Sequence, residues 1–163
     1  MDGILTLSRL QDFQLRLSGC WDTSLLLELD GLSQLKKLSI WGDCSNYQPD
    51  ITSGVARAIK QSPQLTHLEV VPRGYGFDSY KAATVRDLLG KVPPDRPLRL
   101  THLSLHDICI QTPLDDFMLS HLRCLTSLNL SATGSTSVFT ALARERVFLS
   151  HIVVQDVDDC VLD

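Results

Sequence analysis

Leu100-Thr101-His102-Leu103-Ser104-Leu105 is one copy of a phrase that returns along the whole chain. Leu65-Thr-His-Leu68-Glu-Val70 precedes it and Leu125-Thr-Ser-Leu128-Asn-Leu130 follows it. Leu35-Lys-Lys-Leu38-Ser-Ile40 and Leu149-Ser-His-Ile152-Val-Val154 extend the series in both directions, and Leu10-Gln-Asp-Phe13-Gln-Leu15 is a weaker sixth copy. The template is L-x-x-L-x-L. Its last positions alternate apolar and polar, the period of a strand with one buried face. Strands are therefore predicted near 13–17, 37–41, 67–71, 102–106, 127–131 and 151–155.

The first leucines of the copies fall at 10, 35, 65, 100, 125 and 149, so the spacing runs from 24 to 35 residues. Between copies the pattern turns helical. Asp50 can cap a helix through Lys60, with Ile51, Val55 and Ile59 on one face and Pro63 beyond its end. Asp78 can cap a second helix that closes at Gly90. Thr112-Pro113 is suited to open a third, carrying Leu114, Met118 and Leu122, and Thr136 or Ser137 a fourth, carrying Val138, Phe139 and Leu142. A short helix is expected over Asp22 to Leu29. Strands alternating with helices imply a parallel sheet with right-handed crossovers. Repeated units that each bury a face only against their neighbours imply a solenoid. The expected fold class is thus α/β, a single domain over residues 1–163.

Bulk properties narrow the function. The chain has 163 residues, 44% of them hydrophobic, and a net charge of -4. That balance argues against a dominant phosphate-binding role, so no nucleic-acid partner is expected. The five cysteines are odd in number and form no C-x-x-C, which fits reduced thiols in a cytoplasmic or nuclear protein. No stretch has the length of a membrane span, and the acidic start lacks the charge of a signal peptide. Cys160-Val-Leu-Asp163 has the shape of a prenylation box, but its final Asp and the lack of a preceding basic segment favour a fraying acidic tail.

The recurring phrase, quoted above from Leu65, Leu100 and Leu125, resembles the irregular leucine-rich repeats of fungal F-box-type proteins and, more broadly, the ribonuclease-inhibitor-like horseshoe. The resemblance covers about Leu10 to Val154. It implies a parallel sheet on a concave face, helices on a convex face, and a role as a substrate-recognition part of a ubiquitin ligase. Two departures stand out. The Asn or Cys that the common repeat places three positions after its last strand leucine is replaced by Asp43, Arg73, Ile108, Thr133 and Val157. No F-box is recognisable.

Alternation assigns the polar positions of each strand to the face away from the core. The rows are Asp12, Gln14, Arg16; Lys37, Ser39, Trp41; His67, Glu69, Val71; His102, Ser104, His106; Ser127, Asn129, Ser131; and His151, Val153, Gln155. Trp41 is a candidate hot spot, with Lys37 and Glu69 placed to orient a protein partner. Ser39, Ser104 and Asn129 complete that surface. The loop Pro72-Arg73-Gly-Tyr75-Gly-Phe77-Asp78 is a second candidate, because Arg73, Tyr75 and Phe77 stand between glycines on a rigid scaffold.

His67 and His102 occupy equivalent positions in adjacent copies, with Glu69 close by, a set that zinc could use. His106 cannot join His102 on one ion, because four residues along a strand span about 13 Å. Such histidines also titrate near pH 6.5 and would make an interface pH-sensitive. No catalytic motif of the serine-hydrolase, phosphate-loop, zincin or dinucleotide type occurs. The reading is a non-catalytic protein-interaction module that needs no cofactor, metal or membrane. Its rivals are a structural piece of a longer horseshoe and a metal-dependent or hydrolytic enzyme centred on the histidines.

Overall fold

Each leucine phrase becomes a strand, because its alternating apolar positions find the same positions of the next copy beside them. The computed structural model describes residues 8–17, 31–43, 51–73, 84–106, 108, 110, 113–131 and 135–154. The strands are β1 (Asp12–Leu17), β2 (Lys37–Asp43), β3 (His67–Arg73), β4 (His102–His106), β5 (Ser127–Ser131) and β6 (His151–Val154). They form one parallel sheet in sequence order. The helices are α1 (Ile51–Lys60), α2 (Val85–Leu89), α3 (Asp116–Leu122) and α4 (Ser135–Arg144), and a 3-10 turn at Leu32–Gln34 follows Gly31 in the left-handed region. The chain is therefore α/β. The helix expected at Asp22–Leu29 lies outside the described residues.

Register carries the phrase across the sheet. Phe13, Leu38, Leu68, Leu103, Leu128 and Ile152 align in one row, and Leu15, Ile40, Val70, Leu105, Leu130 and Val154 in another. From β2 to β5 these side chains are buried, in one core with Val55 and Ile59 of α1, Val85 and Leu88 of α2, Met118 and Leu122 of α3, and Val138 and Leu142 of α4. All four helices thus pack on one face of the sheet. Each fully buried leucine contributes about 1.5–3 kcal/mol. At β6 the same rows emerge: Ile152 is 54% and Val154 42% exposed, next to Phe148 at 83%.

Helix starts differ from the sequence expectation. The second helix is capped by Thr84, not Asp78. Thr84 Oγ1 accepts from Asp87 N–H at 3.2 Å, and the Asp87 carboxylate accepts in return from Thr84 N–H at 2.9 Å. Residues 74–83, which include Asp78, lie outside the described residues. The third helix is capped by Asp115, whose carboxylate accepts from Met118 N–H at 2.9 Å, so Pro113 and Leu114 precede it and Thr112 lies outside the described residues. The fourth begins at Ser135. The α1 helix ends as expected before Pro63, and the Ser62 hydroxyl donates back to Ala58 C=O at 2.7 Å.

The α4 helix closes on Arg146, whose φ of 58° places it in the left-handed region. Val147 N–H bonds to Leu142 C=O and Arg146 N–H to Ala143 C=O, both at 3.0 Å. This is the paired closure that usually carries glycine at the left-handed position.

No asparagine row holds the turns; Ile108, at one of those positions, is buried in the core. A different device recurs at the strand starts. Thr66 and His67 N–H both donate to Lys36 C=O, Thr101 and His102 to Thr66 C=O, Thr126 and Ser127 to Thr101 C=O, and Ser150 and His151 to Thr126 C=O. The hydroxyls of Thr66, Thr101, Thr126 and Ser150 donate to those same carbonyls at 3.0–3.2 Å. The Thr or Ser before each strand from β3 to β6 is therefore a rung that ties one copy to the last.

Candidate functional site

The face opposite the helices collects the polar positions of the phrase. Parallel register aligns them in rows across the strands, about 4.8 Å apart. The first row is Asp12, Lys37, His67, His102, Ser127 and His151. The second is Gln14, Ser39, Glu69, Ser104, Asn129 and Val153. In a third, Arg16 aligns with Trp41 and Val71, and His106 with Ser131.

Trp41 is half-buried, and the Arg16 guanidinium lies 5.4 Å from its ring centroid. That is cation–π range. The chain supplies its own cation to its most prominent aromatic, so Arg16 belongs to the site although the leucine phrase alone gives no reason to single it out.

His67 and His102 stack, with ring centroids 4.0 Å apart and planes 10° from parallel. Thr66 Oγ1 lies 2.8 Å from His67 Nδ1, and Thr101 Oγ1 lies 2.9 Å from His102 Nδ1. Thr126 and Ser150 spend the same hydroxyl proton on the preceding carbonyl. Thr66 and Thr101 Oγ1 also lie 3.2 Å from the preceding carbonyl; with the hydroxyl proton placed there, each oxygen accepts from an imidazole Nδ1–H. Both rings then carry a lone pair on Nε2. His67 is held below the ordinary imidazole range, first by burial, then by the neighbouring His102 and Lys37; Asp12 opposes that shift.

The zinc reading meets a geometric obstacle. Lone pairs of two parallel stacked rings run side by side and do not converge on one ion. Among the described residues no group of three or more metal-ligating side chains comes together.

The middle row is less open than alternation implies. Ser39 is fully buried, and in the third row Val71 is only 4% exposed. Ser39 thus belongs to the floor of the face and not to its accessible surface. The side-chain oxygens of Ser39, Ser104 and Asn129 are buried without a hydrogen-bond partner among the described residues. Glu69, between the two serines, forms no ion pair among the described residues. His106 is half-buried at the end of β4.

The loop expected at 72–78 begins later than its sequence suggested. Pro72 and Arg73 belong to β3, where Arg73 pairs in register with Asp43. Tyr75 and Phe77 lie outside the described residues, as does Gln155.

Away from this face, two features belong to the scaffold. His121 of α3 is buried in the core; its Nδ1 accepts Leu98 N–H at 3.0 Å, its ring meets Phe117 edge-on at 4.8 Å, and burial holds its pKa below the ordinary value. The Arg86–Asp115 ion pair joins α2 to the start of α3, and the Met118 N–H and Arg86 bonds hold the Asp115 carboxyl below its usual range. Cys124, the cysteine among the described residues, is free and exposed. Among the described residues no helix is long and apolar enough to cross a membrane. Compared with known proteins, the chain matches no family model, no curated protein and no solved structure.

Proposed function

We propose that this chain is a non-catalytic protein-binding module, built as a short right-handed leucine-rich-repeat solenoid whose sheet face opposite the described helices is the concave binding surface. The observation that carries this reading is the composition of that face. The Arg16–Trp41 stack stands at one end of the register-aligned polar rows, Lys37 and the His67–His102 pair at the other, and Glu69 in the row between. Tryptophan and arginine are the side chains most enriched where a few residues dominate binding energy. Lys37 and Glu69 offer charges of both signs to set a partner's orientation.

The resemblance to the repeats of fungal F-box-type proteins supplies the proposed context, selection of substrates for a ubiquitin ligase. The test is capture from native extract on the immobilised chain, with Trp41→Ala and Glu69→Ala as paired variants. A partner held through this face is lost at least tenfold on Trp41→Ala and kept by Arg123→Gln on the helix side. Undiminished capture by both face variants would overturn the assignment. Co-purification of a ligase adaptor tests the context separately.

A second reading, a unit of a longer repeat stack, is favoured by one observation. Ile152 and Val154 hold the core-facing positions of β6 yet are exposed, the arrangement expected where a further copy would pack.

A further inference from the structure

We infer that the sheet face opposite the described helices takes an acidic partner segment, one carboxylate of which sits across the Nε2 atoms of His67 and His102. This rests on the binding role proposed above and names the chemistry of the partner.

The pair is built for it. The rings are stacked at 4.0 Å, and each Nδ1 lies within hydrogen-bond distance of the threonine hydroxyl that precedes its histidine. With each Nδ1 engaged there, Nε2 is the nitrogen of each ring left to a ligand. Protonating both rings creates two parallel N–H donors, and a carboxylate has two oxygens to receive them, as in other bidentate pairs. Without an anion, two imidazolium rings at this distance repel each other, and Lys37 in the same row adds to the repulsion. Burial is the first cause of the lowered pKa of His67, and those two neighbours add to it against Asp12. A bound carboxylate converts the repulsion into attraction, so binding takes up protons.

Among the side chains described on this face, β1 contributes Asp12 and Arg16, β2 Lys37, β3 Glu69 two residues from His67, β4 His106 at the far end of the strand from His102, and β6 His151; β5 contributes Ser127, Asn129 and Ser131 with no charge. Four of the chain's five histidines stand here, the fifth being the buried His121. The face is balanced when its histidines are neutral and gains up to four positive charges when they are protonated, on a chain whose net charge is -4. An acidic segment is the partner this change favours; a basic one is repelled by it.

The probe is the blocked hexapeptide of glutamate, which stays ionised at pH 5.5, compared with the glutamine and lysine hexapeptides at pH 5.5 and 7.5. The glutamate peptide is expected to bind at least tenfold more tightly at the lower pH, and the Cε1–H resonance of His67 to titrate at higher pH in its presence. His67→Gln and His102→Gln should each remove most of the pH dependence, whereas Arg123→Gln, which alters net charge on the helix side, should keep it. Equal affinity at both pH values, lysine-peptide binding as tight as glutamate, no binding of any peptide, or loss of the pH effect in Arg123→Gln would each overturn the inference. A protein partner captured through Trp41 but indifferent to pH and to His67 would sink the carboxylate and leave the binding role standing.

Discussion

Strands β5 and β6 are copies of one phrase with opposite fates. Leu128 and Leu130 are 1% and 2% exposed, while Ile152 and Val154, in register with them, are 54% and 42% exposed. Backbone pairing and the hydroxyl rung are the same in both. What differs, among the described residues, is a neighbouring strand on the far side. The comparison separates two things that the leucine phrase joins: pairing in a ladder, which needs one neighbour, and burial, which needs two.

The largest effect should come from truncating the same position in each strand. Leu128→Ala should lower unfolding free energy by about 2–5 kcal/mol, the cost of a cavity in a packed core. Ile152→Ala should cost less than about 1 kcal/mol, because an exposed side chain leaves no cavity. Denaturant melts of both variants check this, and equal losses would mean that β6 is covered in solution. The rungs sharpen the contrast. Thr101→Val removes a hydrogen bond in the middle of the ladder and should cost about 0.5–1.5 kcal/mol. Ser150→Ala, at the exposed edge, should cost less, since water can replace its hydroxyl.

The connection into β6 offers a gain. Arg146 adopts a left-handed conformation that a side chain disfavours by about 1 kcal/mol. Arg146→Gly should raise the midpoint of unfolding by a corresponding amount; a loss would mean that the arginine side chain compensates through contacts of its own. The middle row makes the smallest claim. Ser39→Ala removes a buried hydroxyl that has no partner among the described residues, and should be neutral or stabilising by up to about 1 kcal/mol.

Acidity probes the interior through His121. Its folded pKa lies below the unfolded value near 6.5, so the unfolded chain binds more protons as pH falls through that value. The stability it protects is fully present above that unfolded value and declines as pH falls below it, and His67 acts in the same direction. Melts of His121→Gln across that window should show a flatter profile than the parent chain.

The strands were legible because a period of two repeated six times leaves one consistent register. The helix starts were less so. Asp78 and Thr112 are sound caps by residue type, but Thr84 and Asp115 win because each reaches the backbone N–H three residues on. Alternation located Ser39 on the correct face but gave no measure of its depth. The threonines of the two Leu-Thr-His phrases were visible as a recurrence, whereas their function as rungs, and their hold on His67 and His102, depends on the distance to a carbonyl 30 or 35 residues earlier. Tyr75 and Phe77 fall outside the described residues, so their place on a surface rests on their composition alone.

The rungs also bear on how such a chain can change. Because each new strand is positioned by the carbonyl before the previous one, its alignment is independent of the path the backbone takes in between. A segment inserted after a strand or around a helix should lengthen the excursion and leave the rows aligned, as the spacing from 24 to 35 residues already does. One residue inserted between Thr101 and Leu103 should do the opposite, exchanging the two faces of a strand in a single step. Tolerance to length and intolerance to phase are thus set by the same small hydroxyl contact.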